Sequence, residues 1–187
     1  MLTEKDVLKT FQDSDALLSG HFILSSGLHS DRYLQCALVL QHAELSYRLC
    51  AELAERFRND AIEVVISPAI GGIIVGQEVA RALDCMAIFC EKENGKLILR
   101  RGFSIKKGSR ALVVEDVITT GGSIKRVADI VRENGGIVAG YGCIVDRSGE
   151  KLDFKLEKLL SVQAKTYKPE ECPMCSQGIS FKRPGSR

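Results

Sequence analysis

The chain has 187 residues, 45% of them hydrophobic and 27% charged, with four prolines, a composition that fits one globular domain and excludes a disordered or collagen-like chain. Its formal net charge of +2 lacks the basic excess with which a nucleic-acid binder displaces counterions from phosphates, so no nucleic-acid partner is expected. No apolar run approaches the ~20 residues of a bilayer span, and Met1-Leu2-Thr3-Glu4-Lys5-Asp6 carries acids where an export signal carries bases, so a cytoplasmic protein with no membrane partner is expected.

Thr3 suits the N-cap of a helix over residues 3–18, with apolar residues at Val7, Leu8, Phe11, Ala16 and Leu17. Residues 20–27 and 30–35 read as two extended pieces around a Gly-containing turn. From 44 to 58, Leu45, Leu49, Leu53 and Phe57 recur every fourth position and line one side of a helix.

Four apolar strands follow, at 64–66, 86–89, 111–114 and from 137–138 to 143–145, continuous rather than alternating, as in strands buried on both faces. Residues 72–83 and 124–134 carry helical spacing, the latter with Ile124, Val127, Ala128 and Val131 on one face and a stop at Asn134-Gly135-Gly136. Strand, helix, strand, repeated, predicts an α/β fold with a mostly parallel central sheet flanked by helices. Ligands of such sheets sit at the carboxyl ends of the strands. The tail from 168 to 187, with Pro169, Pro173, Pro184 and the pair Cys172/Cys175, is loop-rich.

Seven cysteines at scattered positions give no disulfide framework and read as reduced thiols. Cys172-Pro173-Met174-Cys175 has the spacing of half a zinc knuckle, yet a structural zinc needs four ligands, and His21, His29 and His42 show no metal-ligand spacing. The pair therefore reads as a turn, and no protein metal site is expected unless a partner subunit or a distant cysteine joins it.

The sharpest chemical signal is Glu115-Asp116-Val117-Ile118-Thr119-Thr120-Gly121-Gly122-Ser123, where a buried strand runs through two carboxylates into a hydroxylated, glycine-rich turn and then a helix. Such a turn aims backbone N–H groups, hydroxyls and a helix N-terminus at one point, which is a phosphate cradle. It fits neither the Walker spacing nor GxGxxG. Carboxylates beside a phosphate make sense when they accept hydrogen bonds from the hydroxyls of the sugar that carries it.

This motif resembles the 5-phosphoribosyl-1-pyrophosphate (PRPP) signature of the type I phosphoribosyltransferases. The resemblance implies that family's fold, a single domain over 1–187 with a small N-terminal hood in 1–40 and a C-terminal tail from 165. It also implies PRPP contacts from Glu115, Asp116, Val117, Ile118, Thr119, Thr120, Gly121, Gly122 and Ser123. The turn Ala69-Ile70-Gly71-Gly72, leaving the strand at Ile66-Ser67-Pro68 through small residues, is similar to the family's pyrophosphate loop.

Lys92-Glu93-Asn94-Gly95 resembles the heart of the mobile loop of the orotate branch. On that match Lys92 stabilises the leaving pyrophosphate, with Lys96 as helper. Asn94 stands where many members have His, and Arg100 and Arg101 are candidates for the charge of an Arg-Lys pair missing upstream. The stretch from Lys92 to Arg110 holds seven bases against one acid, which suits an anion.

Residues 20–33 look like the orotate-branch hood, with Ser26 and Tyr33 near the base. Many members carry Lys where this chain has Ser25 and Gly71. Arg147, after the fourth strand, matches the Arg that meets the orotate carboxylate, for which a guanidinium fork is suited, and Thr119 completes the orotate set.

The resemblance thus implies transfer of phosphoribosyl from PRPP to orotate, with Mg2+ held mainly through PRPP and pyrophosphate, in a homodimer whose basic segment serves a neighbour's site. A purine phosphoribosyltransferase and a PRPP-sensing nucleic-acid-binding regulator are the alternatives.

Overall fold

A computed structural model describes residues 1–24, 26–149 and 152–183; Ser25 and Pro184 lie outside the described residues. Thr3 caps the first helix, α1 (Glu4–Asp13), by a reciprocal box: Thr3 Oγ1 accepts from the Asp6 N–H at 3.2 Å, and Asp6 Oδ2 accepts from the Thr3 N–H at 2.9 Å. The helix stops at Asp13 rather than at residue 18. Ser14 Oγ donates back to the Thr10 carbonyl at 2.7 Å, and Asp15 turns the chain with φ of 54°. Ala16 and Leu17 are buried all the same, on the way into a strand.

The two extended pieces form β1 (Leu17–Ile23) and β2 (His29–Leu34), an antiparallel pair. A short helix, α2 (Ala37–Leu40), leads to α3 (Ala43–Glu55), whose stripe buries Leu49 and Leu53 and continues to Phe57. The Phe57 ring packs against β-strand glycines: a Cβ at Gly140 would stand 2.7 Å from it. Full burial of a side chain such as Leu53 contributes roughly 1.5–3 kcal/mol.

The remainder runs β3 (Val64–Pro68), α4 (Gly71–Leu83), β4 (Met86–Glu93), β5 (Lys96–Leu99), β6 (Arg110–Ile118), α5 (Gly122–Glu133), β7 (Ile137–Asp146), β8 (Glu157–Ser161) and β9 (Thr166–Tyr167). After a 3-10 turn at Pro169–Glu171 comes α6 (Pro173–Ser176). The main sheet has the order β5-β4-β3-β6-β7-β8, parallel throughout except for β5, which returns antiparallel along β4. Strands β5, β8 and β9 are additions to the elements expected from apolar runs.

Alternation within the central strands sorts their side chains to two faces. Val65, Leu112, Val114 and Ile144 pack with Leu49, Leu53, Val75 and Val79 of α3 and α4. Val64, Ile66, Ala111, Val113 and Cys143 pack with Ile124, Val127, Ala128 and Val131 of α5. A sheet covered on both sides requires the unbroken apolar runs seen in its strands.

The second sheet, β1-β2-β9, joins the hood to the tail. Beyond β9 the tail folds back on the hood: Lys182 N–H donates to the His21 carbonyl at 2.8 Å and Ile23 N–H to the Lys182 carbonyl at 3.0 Å. This folding brings to Cys172 and Cys175, read from the sequence as a turn, two histidines that spacing did not connect to them. His21 and His29, unrelated to the cysteines by spacing, are buried beside them.

Candidate active site

The carboxyl ends of β3 and β6 adjoin in the middle of the sheet, and each hands the chain to a helix. On β6, Glu115 and Asp116 are half-buried, while Thr119, Thr120 and Gly122 of the following turn are exposed. Gly121 takes φ of 76° and serves as N-cap of α5; the Gly122 N–H has a long bond to Thr120 Oγ1 at 3.4 Å, and the first turn of the helix carries no acid. Its leading N–H groups and positive dipole end therefore face outward, ready for an anion, as a phosphate site requires. Ser123 lies half-buried in the first turn. Val117 is half-buried, and Ile118 is buried in the core with its carbonyl accepting from the Arg147 N–H at 2.7 Å, so the structure does not offer Ile118 to a ligand as the sequence led one to expect.

The turn after β3 comes against this motif. The Ala69–Ile70 peptide bond is cis, Ile70 is exposed, and Gly71 and Gly72 open α4. An ideal Cβ on Gly71 would meet the Asp116 carboxyl, 2.5 Å from Oδ2 and 2.7 Å from Oδ1. Asp116 and the second turn thus line a common volume.

Burial and mutual repulsion push Glu115 up to about 7, with Lys92 opposing the rise. Burial likewise raises Asp116, against hydrogen bonds from the Val117 and Asp116 backbone and from Cys36. Two partly desolvated acids side by side are short of positive charge. Cys36, at the exit from β2, was missed in the sequence because no motif contains it. Its thiol is kept neutral by burial and by Asp116.

Lys92 is exposed on β4 and acts electrostatically on Glu115. The segment expected as a loop is a hairpin: Lys92 pairs with Leu97 and Glu93 with Lys96, while Asn94 and Gly95 take φ of 50° and 79° in the turn. Asn-Gly is the sequence that such a two-residue turn favours. Lys96 is exposed just beyond it. Arg101 forks onto Glu91 at 2.8 and 2.9 Å, and Arg100 pairs with Glu93 at 3.2 Å, so both arginines are engaged along the hairpin.

Arg147 follows β7, half-buried, and its Nε is buried without a hydrogen-bond partner among the described residues. Burial lowers its pKa while Cys36 opposes the drop, which places the guanidinium on the Cys36 and Asp116 side of the sheet. Ser26 and Tyr33 remain on the hood. Among the described residues their hydrogen bonds are local, Ser26 Oγ accepting from the Leu28 N–H at 3.4 Å and Tyr33 Oη donating to Gln35 Oε1 at 3.4 Å. A separate cleft lined by Arg56, Phe57, Val138 and Tyr141 lies at the amino end of β7, away from these groups.

Residues 39–166 match the family described as the phosphoribosyl transferase domain. The chain belongs to the phosphoribosyltransferase family. It is 56% identical over 188 aligned residues to the orotate phosphoribosyltransferase of Pelotomaculum thermopropionicum, covering 100% of this chain and 99% of that one. The orotate phosphoribosyltransferase of Desulforamulus reducens is 50% identical, with 100% and 98% covered. Among solved structures, orotate phosphoribosyltransferase from Aeropyrum pernix superposes with a TM-score of 0.69 at 27% identity, covering 83% of this chain and 93% of that one. The fold is thus that of the type I phosphoribosyltransferases.

Proposed function

We propose that this phosphoribosyltransferase transfers the 5-phosphoribosyl group of PRPP to orotate, giving orotidine 5'-monophosphate and pyrophosphate, a step of pyrimidine nucleotide synthesis. The observation that carries the reading is the approach of Gly71 to the Asp116 carboxyl. A ribose held by the acid pair has its leaving group at the turn of residues 69–72. The choice of base rests on the full-length likeness to orotate phosphoribosyltransferases.

In this mechanism Glu115 and Asp116 accept hydrogen bonds from the ribose hydroxyls, and residues 119–123 with the α5 N-terminus hold the 5-phosphate. As the bond from C1 of ribose to pyrophosphate loosens ahead of attack by the orotate ring nitrogen, positive charge grows on the sugar beside the two carboxylates. Negative charge grows on pyrophosphate, which meets the backbone of Ala69, Ile70, Gly71 and Gly72. Lys92, assisted by Lys96, supplies the cation for that anion. Arg147 and Thr119 orient orotate, with Ser26 and Tyr33 closing over it from the hood. Catalysis is positional and electrostatic, so it needs no nucleophilic side chain.

Mg2+ fits the donors present, since Glu115 and Asp116 are hard oxygen ligands short of positive charge, and this ion is commonly held by one or two carboxylates plus substrate phosphates. Bound with PRPP, it would neutralise charge on the pyrophosphate. The reading includes a cytoplasmic homodimer. No described helix is long and apolar enough to cross a membrane.

The test is turnover by the purified protein with PRPP and Mg2+, offered orotate, adenine or hypoxanthine in turn. Orotidine 5'-monophosphate and pyrophosphate are expected in equal amounts from orotate. Turnover of a purine with none of orotate contradicts the proposal.

A further inference from the structure

We propose that His21, His29, Cys172 and Cys175 bind one zinc ion that ties the tail to the hood. One ligand atom from each of the four lies within 4.8 Å of all the others. Cys172 Sγ is 3.6 Å and Cys175 Sγ 3.7 Å from His21 Nε2, and Cys175 Sγ is 3.3 Å from His29 Nδ1. Zinc bonds of ~2.0–2.1 Å to nitrogen and ~2.3 Å to sulfur give tetrahedral edges of roughly 3.3–3.8 Å, which the three sulfur–nitrogen separations match, while the widest pair, within 4.8 Å, would draw in on binding. The two imidazole nitrogens, at 2.8 Å, stand closer and would part by about half an ångström.

The surroundings prepare the ligands. His21 Nδ1 is 2.8 Å from the Ile179 carbonyl, which can only accept, so that nitrogen carries the proton and the Nε2 lone pair is turned to the cluster. His21 and His29 are 3% and 5% exposed and Cys172 is 3% exposed, while the Phe181 ring sits 5.9 Å from His21 and 6.3 Å from His29. Three of the four donors are buried, with Cys175 at the exposed edge, and the two thiols have only weak hydrogen bonds to the imidazoles. On binding, each thiol releases a proton to solvent and two thiolates with two neutral imidazoles surround Zn2+.

A full set of protein ligands leaves no open position, so the ion is structural. It joins the β1–β2 hairpin to a cysteine pair far along the chain, His29 and Cys175 being 146 positions apart in sequence. The site is independent of the PRPP chemistry and separate from Mg2+.

The test is elemental analysis of the full chain, produced without a histidine tag and purified without chelator, together with visible spectroscopy after exchange into Co2+. About one zinc per chain is expected, along with the intense bands of tetrahedral, thiolate-ligated cobalt. Cys175→Ser should lose the metal, whereas Cys85→Ser, outside the cluster, should keep it. Stripping the wild-type protein should lower its melting temperature. Zinc-free wild-type protein whose Co2+ spectrum shows only octahedral, solvent-ligated ion overturns the proposal, as does a disulfide between Cys172 and Cys175 in freshly purified protein. These readouts come from the wild type, so they stand even where the Cys175 variant fails to fold.

Discussion

The position of a Cβ on Gly71 falls 2.5 Å from Oδ2 of Asp116, which brings the turn after β3 against the end of β6, more than forty residues on in sequence. β3 and β6 are hydrogen-bonded neighbours with Ile66 opposite Val113, so both chains leave the sheet at the same edge. Where the family resemblance leads one to expect Lys at position 71, here the backbone itself approaches the carboxylate.

Gly71→Ala should therefore injure function more than folding. The methyl group must displace the Asp116 carboxyl, the free end of a side chain, while α4 can continue to form. Steady-state kinetics should show kcat/KM for PRPP down by about tenfold, ~1.4 kcal/mol of transition-state binding. The melting temperature should stay within about 2 °C of wild type. Unaltered kinetics would show that Asp116 does not touch the sugar.

Lys92→Ala should lower kcat by about 100-fold while changing the KM for PRPP by less than about threefold, because the charge it meets develops in the transition state. Rapid-quench measurement of the chemical step checks this. A large KM effect with normal kcat would make Lys92 a ground-state binder.

Glu115 gives a pH signature to the ligand-free protein. Its folded pKa, about 7, lies above the ordinary value of 4.5, so the unfolded chain loses this proton first as pH rises. Stability is consequently surrendered between about pH 4.5 and 7, by up to roughly 3 kcal/mol. Glu115→Gln should raise the melting temperature at pH 8 relative to wild type and leave it little changed at pH 4.5. Denaturation scans at the two pH values decide, and equal shifts at both would remove the buried acid as the cause.

Arg147→Lys should raise the KM for orotate by about tenfold and leave that for PRPP unchanged, since an ammonium cannot reproduce the planar fork. The buried Nε of Arg147, unpartnered among the described residues, is the atom whose pairing this substitution tests. Equal effects on both substrates would assign Arg147 to the sugar-phosphate instead.

Much of this architecture was legible because the central strands carry unbroken apolar runs and the motif after Val114 combines acids with a Thr-Thr-Gly-Gly-Ser turn. Leu45 to Phe57 announced α3 by spacing alone. The end of α1 was not legible, since Ala16 and Leu17 continue the apolar pattern and only the back-bonding of Ser14 and the turn at Asp15 break it. β5 and β8 escaped notice because they are short edge strands, with Lys96 and Glu157 opening them. Cys36 beside Asp116 and the histidines beside Cys172 are products of tertiary folding. Neither lies within one local sequence pattern.

Calorimetric titration of PRPP with Mg2+ into the wild type and into Asp116→Asn tests the central claim most directly, that the acid pair and the turn behind it grip one phosphorylated ribose. The account predicts one PRPP per chain in the wild type and binding weakened at least about tenfold in the variant, with the fold retained. Equal affinity in the two proteins would contradict it.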